Sequence, residues 1–144
     1  MSWRRHVAEG ANTPIISESG ELTTKTILIV DDSASMRETV KIVLAASGYA
    51  VLEAEHGREG VEKLDGRKIH LIVSDVNMPV MDGITFLREV KQMPRYKFTP
   101  VVMLTTESSE EMITRGSVSG ASAWLVKPFL PAQLVLAVSK LILP

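Results

Sequence analysis

Apolar residues gather in five short runs along the chain, most of them rich in β-branched side chains and each followed by polar residues. Such runs are typical of strands that are buried on both faces of a parallel sheet. We predict strands at Thr26–Val30, Ala50–Ala54, Leu71–Ser74, Pro100–Leu104 and Trp124–Val126.

Between these runs, apolar residues recur at intervals of three and four, which indicates amphipathic helices. We predict helices at Ser33–Ser47, Glu59–Leu64 and Gly83–Gln92, from Ser108 or Ser109 through Ile113, and at Pro131–Leu141. Gly116 and Gly120 closely follow the fourth helical stretch, so we expect that helix to be weak. The alternation of strands and helices predicts an α/β fold, with one parallel sheet covered by helices on both faces.

The first 24 residues do not share this pattern. They mix glycine, proline, serine and asparagine with few apolar residues, and Ile15 and Ile16 are their main apolar pair. We expect a flexible tail at residues 1–24, or one that lies over the surface through this pair. Residues 25–144 then form a single folded domain.

The composition excludes several classes of function. The chain has 144 residues, no cysteine and a formal net charge of -1. A disulfide framework and a thiolate zinc site are therefore excluded, and without a basic stripe we expect no nucleic-acid partner. No apolar run approaches the roughly 18 residues that span a bilayer, so we expect no membrane insertion and a cytoplasmic location.

Polar residues close four of the five predicted strands. Asp31 and Asp32 follow the first strand, Asp75 the third, Thr105 the fourth and Lys127 the fifth. The carboxyl ends of parallel strands meet at one edge, where open α/β sheets bind their ligands. A single aspartate at a strand end is equally well explained by its preference for turns. Polar ends on four strands indicate a site.

The residue types at this edge suggest phosphoryl chemistry. Three carboxylates repel one another unless a cation relieves them, and Mg2+ favours a few carboxylates together with water and phosphate oxygens. A lysine and a threonine beside them suit an arriving anion, and a phosphoryl group needs all of these partners. Asp75 stands alone on its strand and is the candidate nucleophile, whereas Asp31 and Asp32 form a pair suited to a metal.

Four motifs at these strand ends carry a family resemblance. They are Val30-Asp31-Asp32-Ser33, Ser74-Asp75-Val76-Asn77-Met78-Pro79 followed by Met81-Asp82-Gly83, Leu104-Thr105-Thr106, and Lys127-Pro128-Phe129. With them the chain, from about residue 25 to 143, resembles the receiver domains of two-component response regulators, above all the stand-alone CheY-like ones. The resemblance implies a flavodoxin-like, doubly wound (βα)5 fold whose five-stranded parallel sheet has the order 2-1-3-4-5.

The resemblance also implies roles for single residues. Asp75 would accept a phosphoryl group, and Asp32, Asp75 and the backbone carbonyl of Asn77 would bind Mg2+, for which Mn2+ can substitute. Asp31 would hold the metal through water.

Further roles concern the phosphorylated state. Thr105 and Lys127 would contact the phosphoryl group, and the Lys127–Pro128 bond would be cis. Trp124 stands at the family's switch position, which is usually Tyr or Phe. Either its indole rotates fully inward when Thr105 moves, or the larger ring prevents this rotation. Asn77 and Glu107 would set the rate of self-dephosphorylation, which their polarity predicts to be fast.

The implied partners are a histidine kinase or phosphotransfer protein and an output protein that binds the fourth helix, fifth strand and fifth helix. The last helix is unusually apolar, and spacing leaves three residues near its outer face: Val135, Leu136 and Ile142. This face would bind an apolar partner or form a homodimer, or the tail would cover it through Ile15–Ile16. The resemblance suggests chemotaxis, motility or a phosphorelay.

Two other functions compete with a signalling receiver that catalyses only its own phosphorylation and dephosphorylation. One is an Mg2+-dependent phosphatase with an aspartyl nucleophile. Such enzymes commonly place a second acid two residues after the nucleophile, where this chain has Asn77. The other is a receiver fold that binds partners without phosphorylation, although every residue needed for phosphorylation is present.

Overall fold

The computed structural model describes residues 15–16, 22–106 and 110–142. Strands and helices alternate along the main domain. The strands are β1 Thr26–Val30, β2 Ala50–Ala54, β3 Leu71–Asp75, β4 Val101–Thr105 and β5 Ala123–Val126. The helices are α1 Ala34–Ala46, α2 Gly57–Lys63, α3 Gly83–Gln92, α4 Glu110–Ser119 and α5 Pro131–Leu141.

The five strands form one parallel sheet in the order β2-β1-β3-β4-β5. This confirms the predicted flavodoxin-like topology. The strand β3 lies at the centre, and all five of its residues are buried. The sheet therefore brings the carboxyl ends of all strands, including that of β3, to one edge.

Successive strand residues face opposite sides of the sheet, and each side has its own hydrophobic core. Leu28 and Val30 belong to the core under α2, α3 and α4. Ile27 and Ile29 belong to the core under α1 and α5. This alternation explains why the strands are apolar throughout, because both of their faces are covered.

Two helices differ from their predicted bounds. The helix α2 begins at Gly57, two residues early, because the Nδ1 atom of His56 accepts the backbone N–H of Glu59 and caps the helix. The helix α4 continues to Ser119, through Gly116, whereas the sequence predicted a weak helix ending near Ile113. The predicted caps, Ser108 and Ser109, lie outside the described residues.

The last helix agrees with its spacing except at one residue. Leu134 and Val138 are fully buried, and Leu136 is 54% exposed. Ile142 was predicted to lie near the outer face, but it packs against the core under α1 and α5. The difference arises because Ile142 lies one turn after the buried Val138, to whose carbonyl its backbone N–H donates at 3.0 Å, and therefore shares the core face of the helix.

A short ribbon precedes the sheet. Ile15–Ile16 pairs antiparallel with Leu22–Thr23. The sequence predicted no strand in this segment, and the rest of residues 1–24, apart from Thr24, lies outside the described part of the chain. Among the described helices, none is both long enough and apolar enough to cross a membrane.

Candidate functional site

Three carboxylates meet at the carboxyl edge of the sheet. Oxygen atoms of Asp31, Asp32 and Asp75 all lie within 4.8 Å of one another. Asp31 and Asp75 are buried, whereas Asp32 is exposed to solvent. The cluster is therefore buried on the side of Asp31 and Asp75 and open to solvent at Asp32, so a ligand can reach it from solution.

Asp31 is held in place from several directions. Its Oδ1 accepts the backbone N–H of Ser33 at 2.9 Å, and Ser33 in turn caps α1. The guanidinium of Arg37 donates to the backbone carbonyl of Asp31 at 2.7 Å and pairs with Glu53 on β2 at 3.2 Å. The sequence reasoning missed Arg37. In the sequence, an arginine in the first turns of an amphipathic helix cannot be distinguished from an ordinary solvent-exposed arginine. Only its spacing of six residues from Asp31 could have indicated this contact.

Asp75 ends β3 where the chain comes very close to the start of α3. Its Oδ1 accepts the backbone N–H of Val76 at 3.0 Å. The backbone N–H of Gly83 donates to the carbonyl of Val76 at 2.8 Å, and a Cβ atom at Gly83 would overlap the backbone carbonyl of Asp75. Glycine at this position therefore lets the helix begin directly behind the strand end.

Lys127 brings a positive charge into the cluster from the end of β5. Its Nζ lies 3.1 Å from Oδ1 of Asp75 and 3.3 Å from Oδ2 of Asp31. Its backbone N–H donates to the carbonyl of Thr105 at 2.7 Å, which fixes the chain beside β4. The Lys127–Pro128 peptide bond is cis.

The cluster has an unbalanced charge. Burial raises the pKa of Asp75, and the neighbouring charge of Asp31 raises it further, while Lys127 and the Val76 N–H oppose the increase. Three carboxylates and one ammonium leave a formal charge of -2 when all are ionised. This balance suits a divalent cation, and an all-oxygen donor set with an open side matches the preference of Mg2+.

The remaining predicted residues have different positions. Thr105 is fully buried at the end of β4, on the same edge as the carboxylates. Asn77 is exposed in the loop after β3, two residues beyond Asp75. Glu107 lies outside the described residues.

Trp124 is half-buried on β5 and packs against the core under α4. A Cβ atom at Gly116 would overlap Cζ3 of its indole and would lie 2.8 Å from Cε3. The indole Nε1 is buried and has no hydrogen-bond partner among the described residues. The glycine in α4 thus leaves the space that the large ring fills.

Comparisons with known proteins agree with this geometry. The family model of the response regulator receiver domain matches residues 27–139. Chemotaxis protein CheY1 of Helicobacter pylori is 40% identical over 110 residues, which are 75% of this chain and 89% of that protein. Chemotaxis protein CheY of Bacillus subtilis is 37% identical over 115 residues, which are 79% of this chain and 94% of that protein.

A solved structure extends the agreement to three dimensions. Chemotaxis protein CheY4 of Vibrio cholerae superimposes with a TM-score of 0.79 at 44% identity, covering 83% of this chain and 99% of that one. Receiver domains are signalling proteins and not enzymes of the usual kind. The chain belongs to the response regulator receiver domain family, as a CheY-like receiver.

Proposed function

We propose that this protein accepts a phosphoryl group on Asp75 from a phosphohistidine of a partner kinase or phosphotransfer protein. A carboxylate oxygen attacks the phosphorus, the O–P bond forms as the P–N bond breaks, and the imidazole leaves with the electron pair and takes up a proton. The observation that carries the proposal is the cluster itself, in which Lys127 Nζ lies 3.1 Å from Asp75 inside a group of three carboxylates.

Mg2+, held by Asp32, Asp75 and the backbone carbonyl of Asn77 and through water by Asp31, would neutralise charge on the phosphoryl oxygens. The chain's own cation is Lys127, which is already paired with Asp75 and can follow the negative charge onto the phosphoryl group. Thr105 offers a hydroxyl at the same edge of the sheet. Asn77 and Glu107 would orient the water that removes the phosphoryl group, and so would set the rate of self-dephosphorylation.

The output would act through α4, β5 and α5. These elements expose several apolar side chains, among them Val118 (82% exposed) and Leu136 (54% exposed). When Thr105 contacts the phosphoryl group, movement of β4 would pass to Trp124 on the neighbouring strand. We propose that this face binds an output protein or a second copy of the chain. Because the two relatives described above are chemotaxis proteins, a cytoplasmic chemotaxis or motility pathway is the proposed setting.

The test is covalent labelling with phosphoramidate, a small phosphoryl donor, followed by intact-protein mass spectrometry. The wild type should gain one phosphoryl group when Mg2+ is present and none in EDTA. Asp75→Asn should gain none, because an amide is a poor nucleophile. Asp65→Asn is the matched control, since Asp65 is an exposed aspartate in the loop before β3. Label on Asp75→Asn, or equal labelling in EDTA, would refute the proposal.

A further inference from the structure

Two loops at the amino edge of the sheet form a basic surface, on the opposite side from Asp75. One loop, residues 65–70, joins α2 to β3, and the other, residues 94–100, joins α3 to β4. They contain one carboxylate, Asp65, and four cationic residues: Arg67, Lys68, Arg95 and Lys97. We call these two loops the basic loop pair. A five-residue strand separates each loop from the carboxyl edge, a distance of about 16 Å.

The loop pair encloses a pocket with uncompensated positive charge. The pocket has a volume of about 300 Å3 and is lined in part by Lys68, Arg95 and Tyr96. Arg67 also lines it, but its guanidinium is paired with Asp65 at 2.8 Å. Within residues 15–16, 22–106 and 110–142, neither Lys68 nor Arg95 forms an ion pair with a carboxylate. Two cations of this concave site therefore have no carboxylate partner among the described residues.

The pocket is built from a fixed backbone. The buried hydroxyl of Tyr96 donates to the carbonyl of Arg67 at 2.7 Å and accepts the N–H of Gly66 at 2.8 Å. The Nε of Arg95 donates to the carbonyl of Gly66 at 3.0 Å. These bonds tie one loop to the other. A site that is already shaped loses less entropy when a ligand binds.

A large aromatic side chain stands on the second of these loops, two residues after Tyr96 of the pocket lining. Phe98 is 86% exposed, and the ammonium of Lys97 lies 5.1 Å from its ring centroid. Lys91 holds the backbone on both sides of Phe98, since its Nζ donates to the carbonyls of Lys97 at 3.2 Å and Thr99 at 2.6 Å. The ring is therefore presented to solvent by a braced loop. Aromatic and arginine side chains dominate the binding energy of protein interfaces.

We propose that the basic loop pair binds an acidic segment of a partner protein. Carboxylates of the segment enter the pocket and meet Lys68 and Arg95, and an apolar side chain packs on Phe98. A bilayer or a nucleic acid would require a broad positive field. This chain has a net charge of -1 and carries Asp65 within the surface, so the concave site favours a protein segment.

The probe is a fluorescein-labelled random copolymer of glutamate and tyrosine, which offers many acidic and aromatic combinations without assuming one sequence. Anisotropy is measured at low and at physiological salt. The double variant Lys68→Gln/Arg95→Gln should weaken binding by about tenfold or more. Phe98→Ser should weaken it by about fivefold, because the copolymer's aromatic rings lose their contact. The affinity of the wild type should be lower at physiological salt than at low salt.

The matched control is Arg58→Gln/Arg115→Gln, which makes the same change in net charge at exposed arginines outside the loop pair. It should bind within about twofold of the wild type, and all variants should keep the wild-type urea midpoint. Equal losses in the two double variants would overturn the proposal, because net charge alone would then explain binding. The proposal would also be overturned if the copolymer did not bind, or if the protein bound only phosphatidylserine vesicles. It would likewise be overturned if plain polyglutamate bound as tightly as the copolymer and Phe98→Ser left that binding unchanged.

Discussion

At the scale of single residues, Val80 has a backbone conformation that valine rarely adopts. Its φ is +70°, and no other non-glycine residue among those described has a positive φ. In this region the Cβ atom crowds the backbone at a cost of about 1–2 kcal/mol, and a β-branched side chain fits worst. Its side chain is 73% exposed, so little packing offsets this cost. Strain is thus stored in the loop between Asp75 and α3.

Val80→Asn should therefore stabilise the protein by about 1 kcal/mol, because asparagine tolerates the left-handed region. The measurement is the free energy of unfolding from urea titration. Val118→Asn is the matched control, since Val118 is an 82% exposed valine inside α4. Valine and asparagine have similar helix propensities, so the control should change stability by less than about 0.5 kcal/mol. A destabilised Val80→Asn protein, or equal shifts in both variants, would contradict the strain.

The same scale shows which site residues a sequence can reveal. Asp31, Asp75 and Lys127 could be predicted to share one edge of the sheet because each lies at the end of an apolar run that is typical of a strand. Arg37 was missed because its contact with the Asp31 carbonyl depends on the angle between α1 and the sheet. The strain at Val80 could not be predicted from the sequence either, because the surrounding loop imposes its backbone angle.

At the scale of elements, α4 and β5 fit together at Gly116 and Trp124. The indole of Trp124 occupies the space where a side chain at Gly116 would lie. Glycine in a helix interior costs about 1 kcal/mol relative to alanine. The helix accepts this cost because the ring fills the gap and joins the core.

Gly116→Ala should consequently destabilise the protein by about 1 kcal/mol or more, since overpacking costs about 1–3 kcal/mol and the gain in helix propensity is smaller. In a Trp124→Phe background the same substitution should instead stabilise, because the shorter ring leaves room for the methyl group. Urea unfolding of the four proteins measures this reversal. Ser117→Ala, at an exposed neighbouring position, is the control. A Gly116→Ala effect of the same sign in both backgrounds would argue against a steric pair.

The pairing also explains why α4 was the least predictable helix. Propensity alone ends the helix near Gly116, but packing against β5 carries it to Ser119. Strands and the other helices were predicted to within a few residues, because their apolar spacing and their burial agree. The ribbon of Ile15–Ile16 with Leu22–Thr23 was missed, since two-residue strands show no periodicity.

At the scale of the whole molecule, His70 joins the beginnings of two central strands. Its Nδ1 accepts the backbone N–H of Thr26 at 2.9 Å, and the backbone N–H of His70 donates to the carbonyl of Thr26 at 2.8 Å. Burial lowers the pKa of His70, and the positive charges of Lys25 and Lys68 lower it further. An unprotonated Nδ1 is required for the bond from Thr26, so protonation opposes the fold.

Stability should accordingly depend on pH. Because the pKa of His70 in the folded state lies below its ordinary value of 6.5, the unfolded chain binds a proton first as the pH falls. The contribution of His70 is complete above that value and is lost as the pH drops towards the folded-state pKa. His70→Asn keeps an acceptor for Thr26 without titrating. Urea unfolding between about pH 5 and 8 should show the wild type losing stability relative to this variant on acidification. Parallel profiles would contradict the assignment.

The order of the strands marks the limit of what periodicity can reveal. Alternating strands and helices predict a parallel sheet, but several strand orders satisfy the same pattern, and the order came from the family resemblance. The position of each site residue at the carboxyl edge followed from the alternation alone. The contacts between them, such as Lys127 with two carboxylates, depend on the order and were visible only in three dimensions.

The fit between Gly116 and Trp124 also has a consequence for descent. If glycine arises first at position 116, while a smaller ring occupies position 124, the only cost is the lower helix propensity of glycine, about 1 kcal/mol. Tryptophan arising first would meet the side chain already present in α4. Lineages should therefore acquire the glycine before or together with the tryptophan, and relatives with tryptophan at this place in β5 should carry glycine opposite it. The two positions should therefore change together in the family, although neither lies near Asp75 in the sequence.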